Sequence, residues 1–140
     1  MSNFFITSSE ILTISHLNNK TFCFNQEELA KGIGCTQPNI SYVIGSLLEK
    51  GIVENYKGII VVNQYRLLEE LVEYAKQYYE CNLFFQDRVL KLKNCSPELF
   101  AYFQTYLRIF NIDYVITECK TLNEICFVFS VNVIDIADID

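Results

Sequence analysis

The stretch that most constrains the fold is GCTQPNISYVIGSLLEKGIV, residues 34–53. Thr36 is of a residue type that often caps the N-terminus of a helix. Gly34 and Gly51 mark the two limits of the segment, because glycine readily adopts the positive φ that ends a helix. Between them, apolar residues recur at helical spacing. They predict one buried stripe, formed by Ile40, Val43, Ile44, Leu47 and Leu48. The stretch therefore predicts a helix over 36–50 that buries one face.

The opposite face of this helix is polar, although packing alone does not require polar side chains held clear of the core. The polar residues of the helix and its cap are Thr36, Gln37, Asn39, Ser41, Tyr42 and Ser46. Gln and Asn can each bond the N6 and N7 atoms of an adenine, and a serine hydroxyl can donate to a phosphate. Gly45 on the same face would let a DNA backbone or another helix approach closely. Exposed polar faces are often only solvated, so the pattern needs a second argument.

The segments around this helix supply that argument. Thr7 followed by Glu10 predicts a capping box and a helix over 8–18, with an apolar stripe of Ile11, Leu12, Ile14 and Leu17. A brief strand, KTFCFN, and a short helix, QEELAKGI, which Asn25 begins, come before Gly34. After Gly51, IVENYKGIIVVN predicts two short strands around a tight turn at 56–58.

Residues 8–65 resemble the winged helix-turn-helix DNA-binding domain of bacterial regulators of the Crp/Fnr and MarR types. The small Ala30, the turn at Gly34 and the exit LLEKGIV fall where that family has them. The resemblance implies that the helix over 36–50 reads the major groove of double-stranded DNA. It implies a DNA-binding set that also includes basic and wing residues. The full predicted set is Thr36, Gln37, Asn39, Ser41, Tyr42, Ser46, Lys31, Lys50, Tyr56 and Lys57.

The second half predicts a different architecture. Asn63 can cap a long helix over 63–80, residues 81–95 fit either strand or helix, and SPEL opens a helix over 96–111. DYVIT and EICFVFSVNVIDI then predict two antiparallel strands. We therefore expect an α+β fold, with a winged helix-turn-helix domain at 1–65. A dimerisation or effector region follows at 66–140.

Composition and charge limit the classes of function. No apolar run approaches the roughly 20 residues that span a bilayer, and MSNFFITSSE does not read as a signal peptide. We therefore expect a cytoplasmic protein with no membrane partner. Residues 1–66 hold five basic and five acidic side chains, so the whole net charge of −6 lies after residue 66. A nucleic-acid site therefore belongs in the first half.

The sequence predicts no catalytic, metal or cofactor site. The six cysteines lie at least seven residues apart and His16 is the only histidine, so zinc ligation is not supported. His16 is expected to be structural, because no nucleophile pattern surrounds it. No glycine-rich phosphate loop occurs. The basic Arg88, Lys91 and Lys93 are expected to form a solvated face, with contact to flanking DNA as the alternative. The acidic Asp135, Asp138 and Asp140 are expected to form a solvated tail and not a cation site. The protein is not expected to be an enzyme.

The predicted function is a sequence-specific DNA-binding protein, acting as a homodimeric transcriptional repressor. The helix over 96–111 and the hairpin after it are the expected dimer interface, because that helix is apolar on more than one face. The sequence does not name an effector. Two alternatives remain, a plasmid or phage segregation or transfer protein, and a winged-helix module that binds protein instead of DNA.

Overall fold

The fold mixes helices with antiparallel sheet. The computed structural model describes residues 4–19, 26–56, 58–79 and 81–130, and these ranges form five helices and two antiparallel sheets, an α+β fold. Lys57, the strand predicted over 20–25 and the residues Asp135, Asp138 and Asp140 lie outside these ranges. The elements are α1 (Ser8–Leu17), α2 (Gln26–Ile33), α3 (Gln37–Glu49), β1 (Val53–Tyr56), β2 (Ile59–Val62), α4 (Gln64–Tyr79), β3 (Leu83–Gln86), β4 (Val89–Lys93), α5 (Pro97–Ile109), β5 (Tyr114–Cys119) and β6 (Glu124–Phe129).

Helix α1 begins with the predicted capping box. The Thr7 hydroxyl accepts from the Glu10 amide at 3.2 Å, and the Glu10 carboxylate accepts from the Thr7 amide at 2.9 Å. These two bonds satisfy amides that a helix start leaves without helical partners. The prediction that Leu12 belongs to the buried apolar stripe of α1 is wrong, because its side chain is 60% exposed.

Helix α3 begins after Thr36, whose hydroxyl accepts from the Asn39 amide at 3.4 Å. The predicted stripe is buried at Ile40, Ile44 and Leu47 but is wrong at Leu48, which is 43% exposed. Leu48 follows Leu47 by one residue, a rotation of about 100° around the helix, and this places it at the edge of the buried face.

The first sheet is the hairpin β1–β2, paired from Val53 with Val62 to Tyr56 with Ile59. It packs beside α1 and α3. Its last residue connects directly to Asn63, whose side-chain oxygen accepts from the Arg66 amide at 3.2 Å at the start of α4. This agrees with the predicted role of Asn63 as a helix cap.

The second sheet corrects the expectation of a bare C-terminal hairpin. Residues 81–95 form the two strands β3 and β4, and the sheet has four strands in the order β3-β4-β6-β5. Leu90 and Leu92 alternate with Lys91 and Lys93, which is the two-residue period of a strand with one buried face. Asp87 lies in the tight turn before β4 with φ 55°, a value that Asp tolerates better than most residues.

Helix α5 packs against this sheet and α4, so its apolar faces are used within the chain. Leu99, Phe103 and Leu107 are buried, and the Tyr102 hydroxyl donates to the Leu71 carbonyl at 2.8 Å. The breadth of its apolar surface therefore does not by itself indicate a second subunit.

Both halves of the chain contribute to one core. Ile14 and Leu47 belong to the same buried cluster as Leu71 and Phe103. A smaller cluster at the α2–α3 crossing consists of Leu29, Ala30, Ile40 and Ile44. The boundary expected after residue 65 thus marks a change of sequence pattern within a shared core.

The crossing of α1 and α2 depends on a glycine. A Cβ atom at Gly32 would overlap the His16 ring, so the ring occupies the space that a side chain at position 32 would need. The buried Nε2 of His16 has no hydrogen-bond partner among the described residues. His16 therefore has a packing role here, in line with its expected structural role.

We expect Gly32→Ala to lower the free energy of unfolding by roughly 1–3 kcal/mol, because overpacking at His16 outweighs the helix propensity gained. Gly45→Ala in α3 is the matched control, since among the described residues no atom outside the local backbone of α3 lies within 4 Å of the added Cβ. It should raise the free energy of unfolding by up to about 1 kcal/mol. Urea denaturation measures both variants. Equal stabilisation of the two would show that the His16 ring moves aside freely.

Candidate nucleic-acid interface

The N-terminal half of α3 presents the predicted polar residues to solvent. Thr36, Gln37, Asn39 and Ser41 are all exposed, and the Tyr42 side chain is 81% exposed. The Thr36 cap and the buried face of the helix hold this segment in place. The structure thus brings five of the ten predicted DNA-binding residues together at one end of one helix.

Gly45 makes a shallow dent in the exposed face of α3. Its helical neighbours three residues away are Tyr42 and Leu48, and those four residues away are Ser41 and Glu49, all exposed. Apart from the local backbone of α3, no described atom lies within 4 Å of a Cβ built on Gly45. A partner can therefore come closer to the helix backbone at this point than elsewhere on the face.

Two of the predicted DNA-contacting residues, Ser46 and Lys50, contact a buried carboxylate. The Lys50 ammonium donates to both oxygens of Glu10, at 2.8 and 2.9 Å, and the Ser46 hydroxyl donates to Glu10 at 3.2 Å. The Glu10 side chain is 2% exposed and that of Lys50 is 35% exposed. Lys50 and Ser46 thus fasten the C-terminal end of α3 to the start of α1.

The pKa of Glu10 reflects these contacts. Burial raises the pKa of this carboxyl, but the bonds from Lys50 and from Thr7, with the charge of Lys50, outweigh burial and hold the pKa below its ordinary value of 4.5. Glu10 is therefore ionised at neutral pH. A buried carboxylate in this state requires its cation.

Little positive charge remains on the candidate interface. No Lys or Arg occurs within α3, and Lys31 on α2 is exposed with its ammonium 3.7 Å from Glu27. Tyr56 lies at the hairpin end of β1 and is 37% exposed. Lys57, the predicted wing-tip cation, lies outside the described residues. Affinity for phosphates would therefore be modest per monomer.

A groove between α1 and α3 is a feature that the sequence did not predict. Its volume is about 670 Å³, and its rim includes the exposed side chains of Leu12 and Tyr42. The polar group of Glu10, Ser46 and Lys50 also lines it. Sequence periodicity did not predict that Leu12 is exposed, because Leu12 fits the apolar pattern of α1 as well as the buried Ile14 does.

The described residues contain no group of three or more His, Cys, Asp or Glu side chains placed to hold a metal ion. In the same part of the chain, no helix combines the length and apolar character needed to cross a membrane.

Neither a protein-family model, nor a curated protein, nor a solved structure matches this chain.

We expect Lys50→Met to lower the free energy of unfolding at neutral pH by about 2–3 kcal/mol, because it leaves Glu10 buried without its cation. Lys31→Met is the matched control, since its ion pair with Glu27 is solvent-exposed on both sides and should contribute within about 0.5 kcal/mol. Urea denaturation of both variants gives the comparison. Equal losses of unfolding free energy in the two variants would mean that the buried Glu10 carboxylate does not need the Lys50 ammonium.

The loss should also depend on pH. Because folding lowers the pKa of Glu10, its stabilising contribution is complete above the ordinary value of 4.5 and disappears as the pH falls through the lowered folded pKa. The difference between wild type and Lys50→Met should therefore shrink below about pH 4.5. A difference that stays constant down to pH 3 would contradict the ionic role of the pair.

Proposed function

We propose that residues 8–62 act as a winged helix-turn-helix module that binds double-stranded DNA with α3 in the major groove. The observation that carries the proposal is the exposed polar half of α3, which is anchored by a capped start and a buried rear face. The order of three helices followed by an antiparallel hairpin supports it. A rigid helix with free amide side chains suits direct readout of base edges.

The residues divide into three roles in this proposal. Gln37 and Asn39 read bases, while Ser41 and Tyr42 border the same surface. Lys31 and the wing residues Tyr56 and Lys57 contact phosphates. Ser46 and Lys50 take a different part from the one first expected, because their bonds to Glu10 fix the angle of α3 instead.

We further propose that the protein acts in the cytoplasm as a homodimeric transcriptional repressor. One recognition helix spans few base pairs, and the sparse positive charge makes a single copy bind weakly. Two copies about 34–36 Å apart would read successive major grooves. A plasmid or phage segregation or transfer protein would use the same module. Tandem target sites would favour that role, whereas one inverted repeat favours the repressor.

A second candidate function is protein docking through the same region. Leu12, Tyr42 and Leu48 are exposed apolar side chains on α1 and α3, and α3 itself carries no basic residue. An apolar contact of this kind would tolerate salt, whereas phosphate contacts would not.

Selection of bound sequences from random duplexes tests the DNA proposal. We expect an enriched motif and an affinity that falls steeply between about 50 and 200 mM salt, since each neutralised phosphate releases counterions. Absence of any enriched motif would refute sequence-specific binding. Binding of a protein partner that is indifferent to salt would then support the docking function.

The same selection, repeated with variants, assigns the readout. Gln37→Ala and Asn39→Ala should each weaken specific binding by roughly 1–3 kcal/mol and relax the preference at one base position. Lys31→Ala is the control, because a phosphate contact should weaken all sequences similarly. An unaltered motif in both amide variants would show that α3 does not read bases.

Self-association has its own test. The outer face of the four-stranded sheet exposes Phe84 on β3 and Val115 on β5, at 58% and 65%, while α5 is largely committed to the core. We therefore expect a dimeric mass by light scattering, and we expect Val115→Glu to shift it toward the monomer. Ile109→Glu on α5, at a residue 37% exposed, should leave the dimer intact. If Ile109→Glu and not Val115→Glu gives a monomer, the dimer interface lies on α5. A monomeric mass for the wild-type protein would refute the dimer.

A further inference from the structure

A second cleft lies between α4 and α5, on elements that the DNA proposal does not use. Its volume is about 410 Å³, within the range of small-molecule sites. Aromatic rings dominate its lining. The residues around it are Tyr74, Tyr78, Tyr79, Glu98, Ala101, Tyr102, Thr105 and Tyr106.

The rings form a packed wall. Tyr74 lies nearly parallel to Tyr78 and to Tyr102, with ring centroids 5.7 and 6.1 Å apart. Tyr79 meets Tyr102 edge to face at 5.5 Å, and so does Tyr106 at 5.1 Å. Such contacts hold the rings in defined orientations, so the wall is already formed before any ligand arrives.

The phenolic hydroxyls fall into two groups. That of Tyr102 is used within the core, where it donates to the Leu71 carbonyl. Those of Tyr74, Tyr78, Tyr79 and Tyr106 make no hydrogen bond with any described residue. Four tyrosines at one cleft thus keep oxygen lone pairs available to an incoming group.

The electrostatic character of the cleft is negative. Glu98 is the only charged residue among those that line it. Burial raises the pKa of Tyr79, and neighbouring tyrosines and Glu98 add to this effect, so the phenol is neutral at physiological pH. The part of the chain after residue 66, which includes the cleft, carries the whole net charge of −6.

We propose that this cleft binds a small organic cation of the quaternary ammonium class. Aromatic faces attract a cation through their quadrupole, and the carboxylate of Glu98 adds charge complementarity. Alkyl groups on the nitrogen bury apolar surface against the rings and need no hydrogen-bond acceptors of their own. A free anion would meet both Glu98 and the electron-rich rings, and is excluded by the same chemistry.

Choline and its neutral isostere 3,3-dimethylbutan-1-ol provide the test on the full-length protein. The chain contains nine tyrosines and no tryptophan, so its intrinsic fluorescence reports tyrosine environments directly. We expect saturable binding of choline by fluorescence and calorimetry, and at least about tenfold weaker binding of the isostere. Equal binding of the two, or no saturation by choline, would overturn the proposal.

Variants at exposed positions localise the site without disturbing the core. Tyr78, 55% exposed, is changed to leucine and to phenylalanine. Tyr78→Leu should weaken choline binding about five- to tenfold, whereas Tyr78→Phe keeps the ring and should stay within about threefold. Glu98→Gln should weaken it about threefold or more. Tyr42→Leu on α3, at the 81% exposed tyrosine, is the matched control and should change nothing.

Two outcomes would overturn the assignment even if choline binds. An equal effect of Tyr42→Leu and Tyr78→Leu would place the ligand elsewhere. A peptide carrying trimethyl-lysine that binds more than tenfold tighter than choline would identify a protein side chain, and not a free small molecule, as the cation. Thermal unfolding of each variant confirms that loss of binding is not loss of fold.

Discussion

The ionised carboxylate of Glu10 is the contact on which the arrangement of the N-terminal helices depends. One side chain completes the capping box of α1 and also accepts bonds from Ser46 and Lys50 near the end of α3. Burying a charge is costly unless it is paired and hydrogen-bonded, so few other placements of these two helices are acceptable. The apolar residues Ile14 and Leu47 bring α1 and α3 together in the core, and Glu10 joins the start of α1 to the C-terminal end of α3.

Local signals predicted the helix starts well. Thr7, Thr36 and Ser96 each accept a bond from an amide three residues on, as their residue types and neighbours indicated. Periodicity predicted the inner stripes but not their edges, since Leu12 and Leu48 fit the patterns and are exposed. Which polar side chains of α3 face solvent depended on Glu10, a residue 36 and 40 positions away from its two partners. A single sequence contains no signal for such a pairing.

The C-terminal half shows a second limit. The breadth of apolar surface on α5 predicted a contact, but not whether the neighbour belongs to the same chain. In the structure, Phe103 packs within the core and Tyr102 bonds to α4, so the neighbours are the sheet and α4. The strands β3 and β4 were readable in principle from the alternation of Leu and Lys around 90–93, which is short enough to be ambiguous with a helix.

Helix α1 is held at both of its ends. At its start Glu10 is bound to Ser46 of α3 and to Lys50 just after that helix. Just beyond its end the Asn18 side chain donates to the Phe110 carbonyl at 2.8 Å, and the Asn111 side chain donates to the Ser15 carbonyl at 3.0 Å. Its ten residues therefore span about 15 Å between α3 and the C-terminal end of α5. One helix is thereby bonded both to α3 in the first half of the chain and to the C-terminal end of α5 in the second, so the two halves share a polar connection as well as a core.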